Sequence, residues 1–167
     1  MPIALLFGFV LVAAWILKNS AQAAQQCSED QASAKVKGSS NGFAINNPGN
    51  IRYIAPPHAW QGQIANHNGY GQYDTLKNGV RAIGKQLSVD YNRGNNTIAK
   101  LISVWAPAAD DNNTQAYIAD VSQKVGIDPN ADFTFQDALP DLAAAIIFHE
   151  NGYNSIDESD LLAYLNS

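Results

Sequence analysis

The sequence predicts an α+β domain, mainly helical, with a small antiparallel sheet before the helices and an apolar segment ahead of both. Three observations lead to this. Apolar residues recur at helical spacing from Thr75 onward. Residues 41–75 are instead rich in Gly, Asn and Pro, with short runs of β-formers between them. Residues 2–17 carry no charge at all. Strand-forming and helix-forming stretches that follow one another in blocks segregate the sheet from the helices.

The apolar segment runs through Leu5, Phe7, Val10, Val12 and Ile16 to Leu17, and Lys18 follows at once. It reads as a transmembrane anchor over residues 1–18 or as the core of a signal peptide. Ala21-Gln22-Ala23 offers an A-x-A cleavage site for the second reading. The anchor is favoured because no basic residue precedes the run, while Trp15 and Lys18 suit a membrane interface. The run falls a little short of the roughly 20 residues that span a bilayer, a mismatch that local thinning absorbs. Residues 19–40 are small and polar with no apolar period, as in a flexible tether. Residues 41–167 form the globular domain, long enough to bury a core of its own.

Within the domain, Asn50-Ile51-Arg52-Tyr53-Ile54 and Tyr70-Gly71-Gln72-Tyr73-Asp74 read as strands, and Pro56-Pro57 and Asn66-His67-Asn68-Gly69 as turns. Val80, Ile83, Leu87 and Tyr91 form one face of a first helix, which Arg93-Gly94 ends. Thr97 caps a second, with Ile98, Leu101, Ile102 and Trp105 inward and Pro107 beyond it. Thr114 caps a third, with Tyr117, Ile118, Val121 and Val125 inward and Gly126 at its end. A fourth places Pro140 in its first turn and Gly152 past its last, with Leu139, Leu142, Ile146 and His149 on one face. A short fifth spans Glu158 to Leu165.

Composition excludes several classes of function. The net charge is −5 and the basic residues are scattered, with no basic and aromatic stripe, which argues against nucleic acid as a partner. Cys27 is the only cysteine, so neither an internal disulfide nor a Cys-based zinc site can form. His58, His67 and His149 lack metal-ligand spacing. No metal and no cofactor is expected.

Glu150 is the residue that stands out. It is a carboxylate in the last turn of an apolar helix, at the negative end of the macrodipole, where the helix gives it no support. A carboxyl held against apolar neighbours has a raised pKa, as a general acid working near neutral pH requires. A solvated last-turn glutamate, or one ion-paired elsewhere, fits the same position. Around it stand two further groups of residues. Asn46-Asn47-Pro48-Gly49-Asn50-Ile51-Arg52 sets amides and an arginine on a turn that feeds a strand. Trp60, Gln61 and Gln63 with Tyr70, Tyr73 and Asp74 alternate aromatic and polar side chains. Amides and rings together suit polysaccharide, whose hydroxyls take bidentate contacts and whose sugar faces take rings. Asx capping of a turn, and aromatics buried in the core, fit these groups equally. The acidic run Asp110-Asp111-Asn112-Asn113-Thr114 lacks the spacing, glycine and final glutamate of a calcium loop and is read as a helix cap.

The series Asn47-Pro48-Gly49-Asn50-Ile51-Arg52, Trp60-Gln61-Gly62, Tyr73-Asp74-Thr75, Gly79-Val80-Arg81-Ala82, Trp105-Ala106-Pro107, Asn112-Asn113-Thr114 and His149-Glu150-Asn151-Gly152 resembles a family of bacteriophage and prophage virion proteins, commonly labelled only as structural proteins. The match spans most of residues 41–152. A fainter resemblance concerns chemistry. Lysozyme-like muramidases and lytic transglycosylases place a catalytic glutamate at a helix end, across a sugar cleft from a β-hairpin. In flagellar-type glucosaminidases that hairpin carries a turn similar to Asn46-Asn47-Pro48-Gly49-Asn50-Ile51. Here the turn precedes Glu150 by about a hundred residues, whereas in those enzymes it follows. A circular permutation reconciles the two orders, since the termini of compact domains often lie close together.

These resemblances imply a lysozyme-like domain on a membrane-anchored virion protein that cleaves peptidoglycan during genome entry. Glu150 would be the acid and Asp74 the second carboxylate. Asn50, Arg52, Gln61, Gln63, Tyr73 and His149 would line the substrate cleft. The implied partners are peptidoglycan glycan strands, the virion lipid membrane and other virion proteins, and the implied location is the virion membrane. The alternatives are a non-enzymatic virion protein that binds peptidoglycan or a capsid partner, and a periplasmic or secreted protein released by signal cleavage.

Overall fold

In the order of the chain, a computed structural model describes residues 42–167 as a 3-10 turn (Gly42–Ile45), a hairpin of β1 (Gln63–His67) and β2 (Tyr70–Tyr73), and then five helices. The helices are α1 (Leu76–Asn92), α2 (Ile98–Trp105), α3 (Thr114–Val125), α4 (Phe135–Asn151) and α5 (Glu158–Leu165), with a second 3-10 turn (Ala108–Asp110) between α2 and α3. The domain is therefore α+β, with one two-stranded antiparallel sheet among the described residues. The predicted anchor and tether lie outside the described residues. Among the described residues no helix is long and apolar enough to cross a membrane.

The hairpin is closed by Asn68 and Gly69, both at positive φ (52° and 91°), as a two-residue turn matched to strand twist requires. Asn66 Oδ1 accepts from the Gly69 N–H at 2.8 Å and fixes the corner. Pairing runs His67 to Tyr70, Asn66 to Gly71 and Ala65 to Gln72, with a bulge between Gln63 and Ala65. The sequence placed its first strand too early. Residues 50–54 contribute only an isolated bridge, Arg52 to Tyr70, with two flanking bonds, Tyr53 N–H to Gly69 O and Gly71 N–H to Ile51 O. The real partner of β2 is the polar stretch ahead of the Asn-Gly corner, which carries little apolar alternation to betray it.

The first three helices begin at residues whose side chains cap them. Thr75 and Thr97 accept the Asn78 and Lys100 backbone N–H groups, each at 3.3 Å, and start α1 and α2. At α3 the cap is Asn113 rather than Thr114. The Thr114 hydroxyl instead donates to Ala106 O at 2.7 Å, tying the start of α3 to the end of α2. Helix α4 starts at Phe135, five residues before the proline predicted to open it, so Pro140 lies inside the helix. Phe135 and Ala138 are buried at its start, and that apolar contact carries the helix past the proline.

Helix α4 is the axis of the core. Leu142, Ala143, Ile146 and Ile147 are fully buried, and α1, α3 and α5 pack against it. Its last turn emerges beside the 3-10 turn at Gly42–Ile45. That places the end of α4 against the loop leading into the hairpin.

Candidate functional site

The loop at residues 46–51 is held on both sides. Asn47 is fully buried, and its amide donates to Ile51 O (2.9 Å) and Gly71 O (2.8 Å) while accepting from the Ile51 N–H (2.9 Å). Asn46 donates to Tyr73 O at 3.0 Å. From the other side Asn151, in the last turn of α4, donates to Pro48 O at 2.7 Å. Asn46 and Asn50 both take left-handed backbone conformations, with φ of 55° and 49°, which asparagine tolerates better than most residues. A side chain at Gly79 would bring its Cβ to 1.7 Å from Asn46 O, so this glycine lets the loop lie directly on α1. Asn47 is thus a structural pin rather than a ligand contact.

This bracing brings Asn50 to Glu150. Asn50 Nδ2 donates to Glu150 Oε2 at 2.8 Å, and the Tyr117 hydroxyl, from the first turns of α3, donates to Oε1 at 2.9 Å. The Trp105 side chain, at the end of α2, is a further polar neighbour that favours the ionised form of the same carboxyl. Burial pushes the Glu150 pKa up. The bonds from Asn50 and Tyr117, the His149 charge and the Trp105 indole all pull it down without cancelling the rise. Burial, and then the neighbouring Glu150 carboxyl, hold the Tyr117 phenol well above its ordinary value, so it stays a neutral donor.

His149 stacks on Tyr117, with ring centroids 3.5 Å apart and planes 15° from parallel. Its Nδ1 lies 2.8 Å from Asp120 Oδ2, and Lys124 pairs with the other Asp120 oxygen. Burial works to raise the Asp120 pKa, but the bonds from Lys124 and His149 outweigh it and hold the carboxyl below its ordinary value. Tyr117, Asp120 and Lys124 are spaced three and four apart, so they form one stripe on α3 facing the last turn of α4.

The other predicted residues are placed differently. Asp74 is exposed, and its carboxylate accepts from Asn78 (2.8 Å) and Thr75 (3.3 Å) at the start of α1. The Asn78 bond, with smaller help from Thr75, lowers its pKa against a weaker opposing effect of desolvation. No hydrogen bond joins Asp74 to the Glu150 cluster among the described residues. Tyr73 is fully buried in the core, and burial raises its phenol pKa, so it presents no surface to a sugar. Gln63 turns back on the chain, donating to Ile54 O at 2.6 Å and accepting from the Ile54 N–H at 3.3 Å, as the loop's own tie. Gln61 is exposed in the turn before β1. Arg52 is exposed, lies 5.2 Å from the Tyr70 ring centroid and pairs with Asp110 at 2.8 Å, linking the hairpin to the turn after α2. His149 belongs to the cluster, through Tyr117 rather than as an open surface.

Sequence reading passed over Tyr117, Trp105 and Asp120. Tyr117 and Trp105 sat on apolar faces and were assigned to the core, and only the fold shows that their polar atoms point at a carboxyl. Two concavities of about 200 and 160 Å3 lie elsewhere. The first is lined by Phe133, Asp137 and Asp141 and the second by Asp141, Asn154 and Ile156, along the first half of α4. No family model matches this chain, and no curated protein matches it.

Proposed function

We propose that the domain cleaves peptidoglycan glycan strands with Glu150 as its general acid, as a lysozyme-like domain on a membrane-anchored virion protein. The observation that carries the reading is the 2.8 Å bond from Asn50 to Glu150, which sets the Asn-Pro-Gly-Asn turn against the helix-end glutamate across a hundred residues of chain. That pairing of turn and glutamate is what the resemblance to lysozyme-like enzymes implies. The raised pKa of Glu150 supports the acid role, because a carboxyl that keeps its proton at higher pH can donate it to a leaving glycosidic oxygen.

The position of Asp74 favours a single-acid route over two-carboxylate hydrolysis. Glycosidases that use two carboxylates hold both beside the scissile bond, roughly 5–9.5 Å apart. Asp74 is instead committed to the start of α1, and Asp120 to Lys124 and His149. In the single-acid route Glu150 protonates the glycosidic oxygen as the C1–O bond breaks. The C6 hydroxyl of the same sugar bonds to C1 and returns its proton to Glu150, leaving a 1,6-anhydro end and consuming no water. Digesting purified cell wall with the full chain and weighing the soluble fragments tests this. Anhydro ends, lighter than reducing ends by one water, are expected. Reducing ends would restore a second carboxylate, and the absence of any fragments would overturn the enzymatic reading.

One observation favours a second reading, a non-enzymatic virion protein that binds peptidoglycan or a capsid partner through the same face. Both Glu150 oxygens already accept bonds from the protein, an arrangement that also suits a structural clasp between α3, α4 and the loop.

A further inference from the structure

We propose that His149 is a positioning residue that governs when Glu150 holds its proton. The inference deepens the reading of Glu150 as a general acid and rests on it. The geometry links the two residues twice. They are chain neighbours at the end of α4, and the His149 ring lies flat on the Tyr117 ring whose hydroxyl donates to Glu150. Asp120 holds His149 in place through Nδ1, at 2.8 Å.

Histidine is the side chain whose charge ordinarily changes between about pH 5 and 8. The groups reaching Glu150 from the other elements, Asn50 on the loop, Trp105 on α2 and Tyr117 on α3, are neutral donors. Asp120 and Lys124, the charged groups next along α3, pair with each other, and Asp120 also pairs with His149. The variable charge beside Glu150 is therefore the imidazole. Its cation is among the influences that pull the Glu150 pKa down against burial. As pH rises and the cation is lost, that pull disappears and Glu150 grips its proton more firmly. The imidazolium thus lowers the pH at which Glu150 gives up its proton, and a neutral side chain at 149 lets Glu150 keep it to higher pH.

The chain has three glutamates, Glu29, Glu150 and Glu158, so 13C-labelled glutamate gives a spectrum simple enough to titrate. The Glu150 signal is the one lost in Glu150→Gln. His149→Phe keeps a ring on Tyr117 and leaves Asp120 paired with Lys124, but removes the cation. His149→Arg keeps a cation beside Asp120 and a planar group to stack. In the full chain, the Glu150 midpoint is expected to move to higher pH in His149→Phe and to stay at or below the wild-type midpoint in His149→Arg. The alkaline limb of wall lysis should move with it. His149→Gln, also neutral, replaces the Phe variant if that variant does not fold. An unmoved midpoint in the neutral variant, or the same upward move in the Arg variant, overturns the role of His149. Wild-type protein that fails to lyse wall while the midpoint still moves would refute the acid reading and leave the His149 linkage standing.

Discussion

Glu150 couples folding to pH in a definite direction. Its pKa in the folded protein is raised, so folding favours the protonated carboxyl. The stabilisation that follows is complete below the unfolded pKa and is lost as pH rises through the folded value. Glutamine at this position keeps the shape without the charge. Its oxygen can accept from Asn50 and its amide can donate to the Tyr117 oxygen, so both contacts survive. The melting temperature of Glu150→Gln relative to wild type should therefore be higher at about pH 8 than at about pH 4, since only the wild type pays to ionise a buried acid. Thermal unfolding at the two pH values checks this. A gap that narrows or reverses on going to pH 8 would mean that the bonds from Asn50 and Tyr117 outweigh burial.

The loop at residues 46–51 is the element that makes the site, and Asn47 is its anchor. Replacing Asn47 by alanine strips the Ile51 N–H, Ile51 O and Gly71 O of a buried partner. At about 1–3 kcal/mol for each group left unsatisfied, with some relief from relaxation and other bonds, a loss of about 2–4 kcal/mol in urea unfolding is expected. A loss below about 1 kcal/mol would show that the loop is held mainly by Asn46 and Asn151. The element scale is also where the sequence was most and least legible. Thr97 and Gly126 marked helix ends because capping chemistry is local, and the fifth helix was bounded as found. The Asn-Gly corner at residues 68–69 was visible as a turn. The strand before it was not, because β1 is largely exposed and offers no apolar alternation. Pro140 misled because tertiary burial of Phe135 and Ala138 overrides a local preference. Glu150 and Asn50 were legible as chemistry out of place. Tyr117 and Trp105 were not, since nothing in a helical apolar face says which polar atom will meet a carboxyl from elsewhere in the chain.

At the scale of the molecule, α1, α3 and α5 close around α4 to form a buried core drawn from residues 45–165. A chain lacking residues 1–40 should accordingly fold cooperatively, with a near-UV CD spectrum showing fixed aromatic packing. A spectrum without near-UV signal alongside intact helical far-UV signal would show that the preceding residues complete the core. The same enclosure brings together, from the loop, α2, α3 and α4, the side chains that surround one carboxyl, and the proposed activity stands or falls with that carboxyl. The most direct measurement is wall lysis by Glu150→Gln, followed as turbidity, with melting temperature recorded on the same sample. General acid catalysis contributes typically about 10²–10⁴-fold, so lysis should fall by at least about a hundredfold while the melting temperature at neutral pH holds or rises. Lysis at the wild-type rate in a folded Glu150→Gln protein would contradict the assignment.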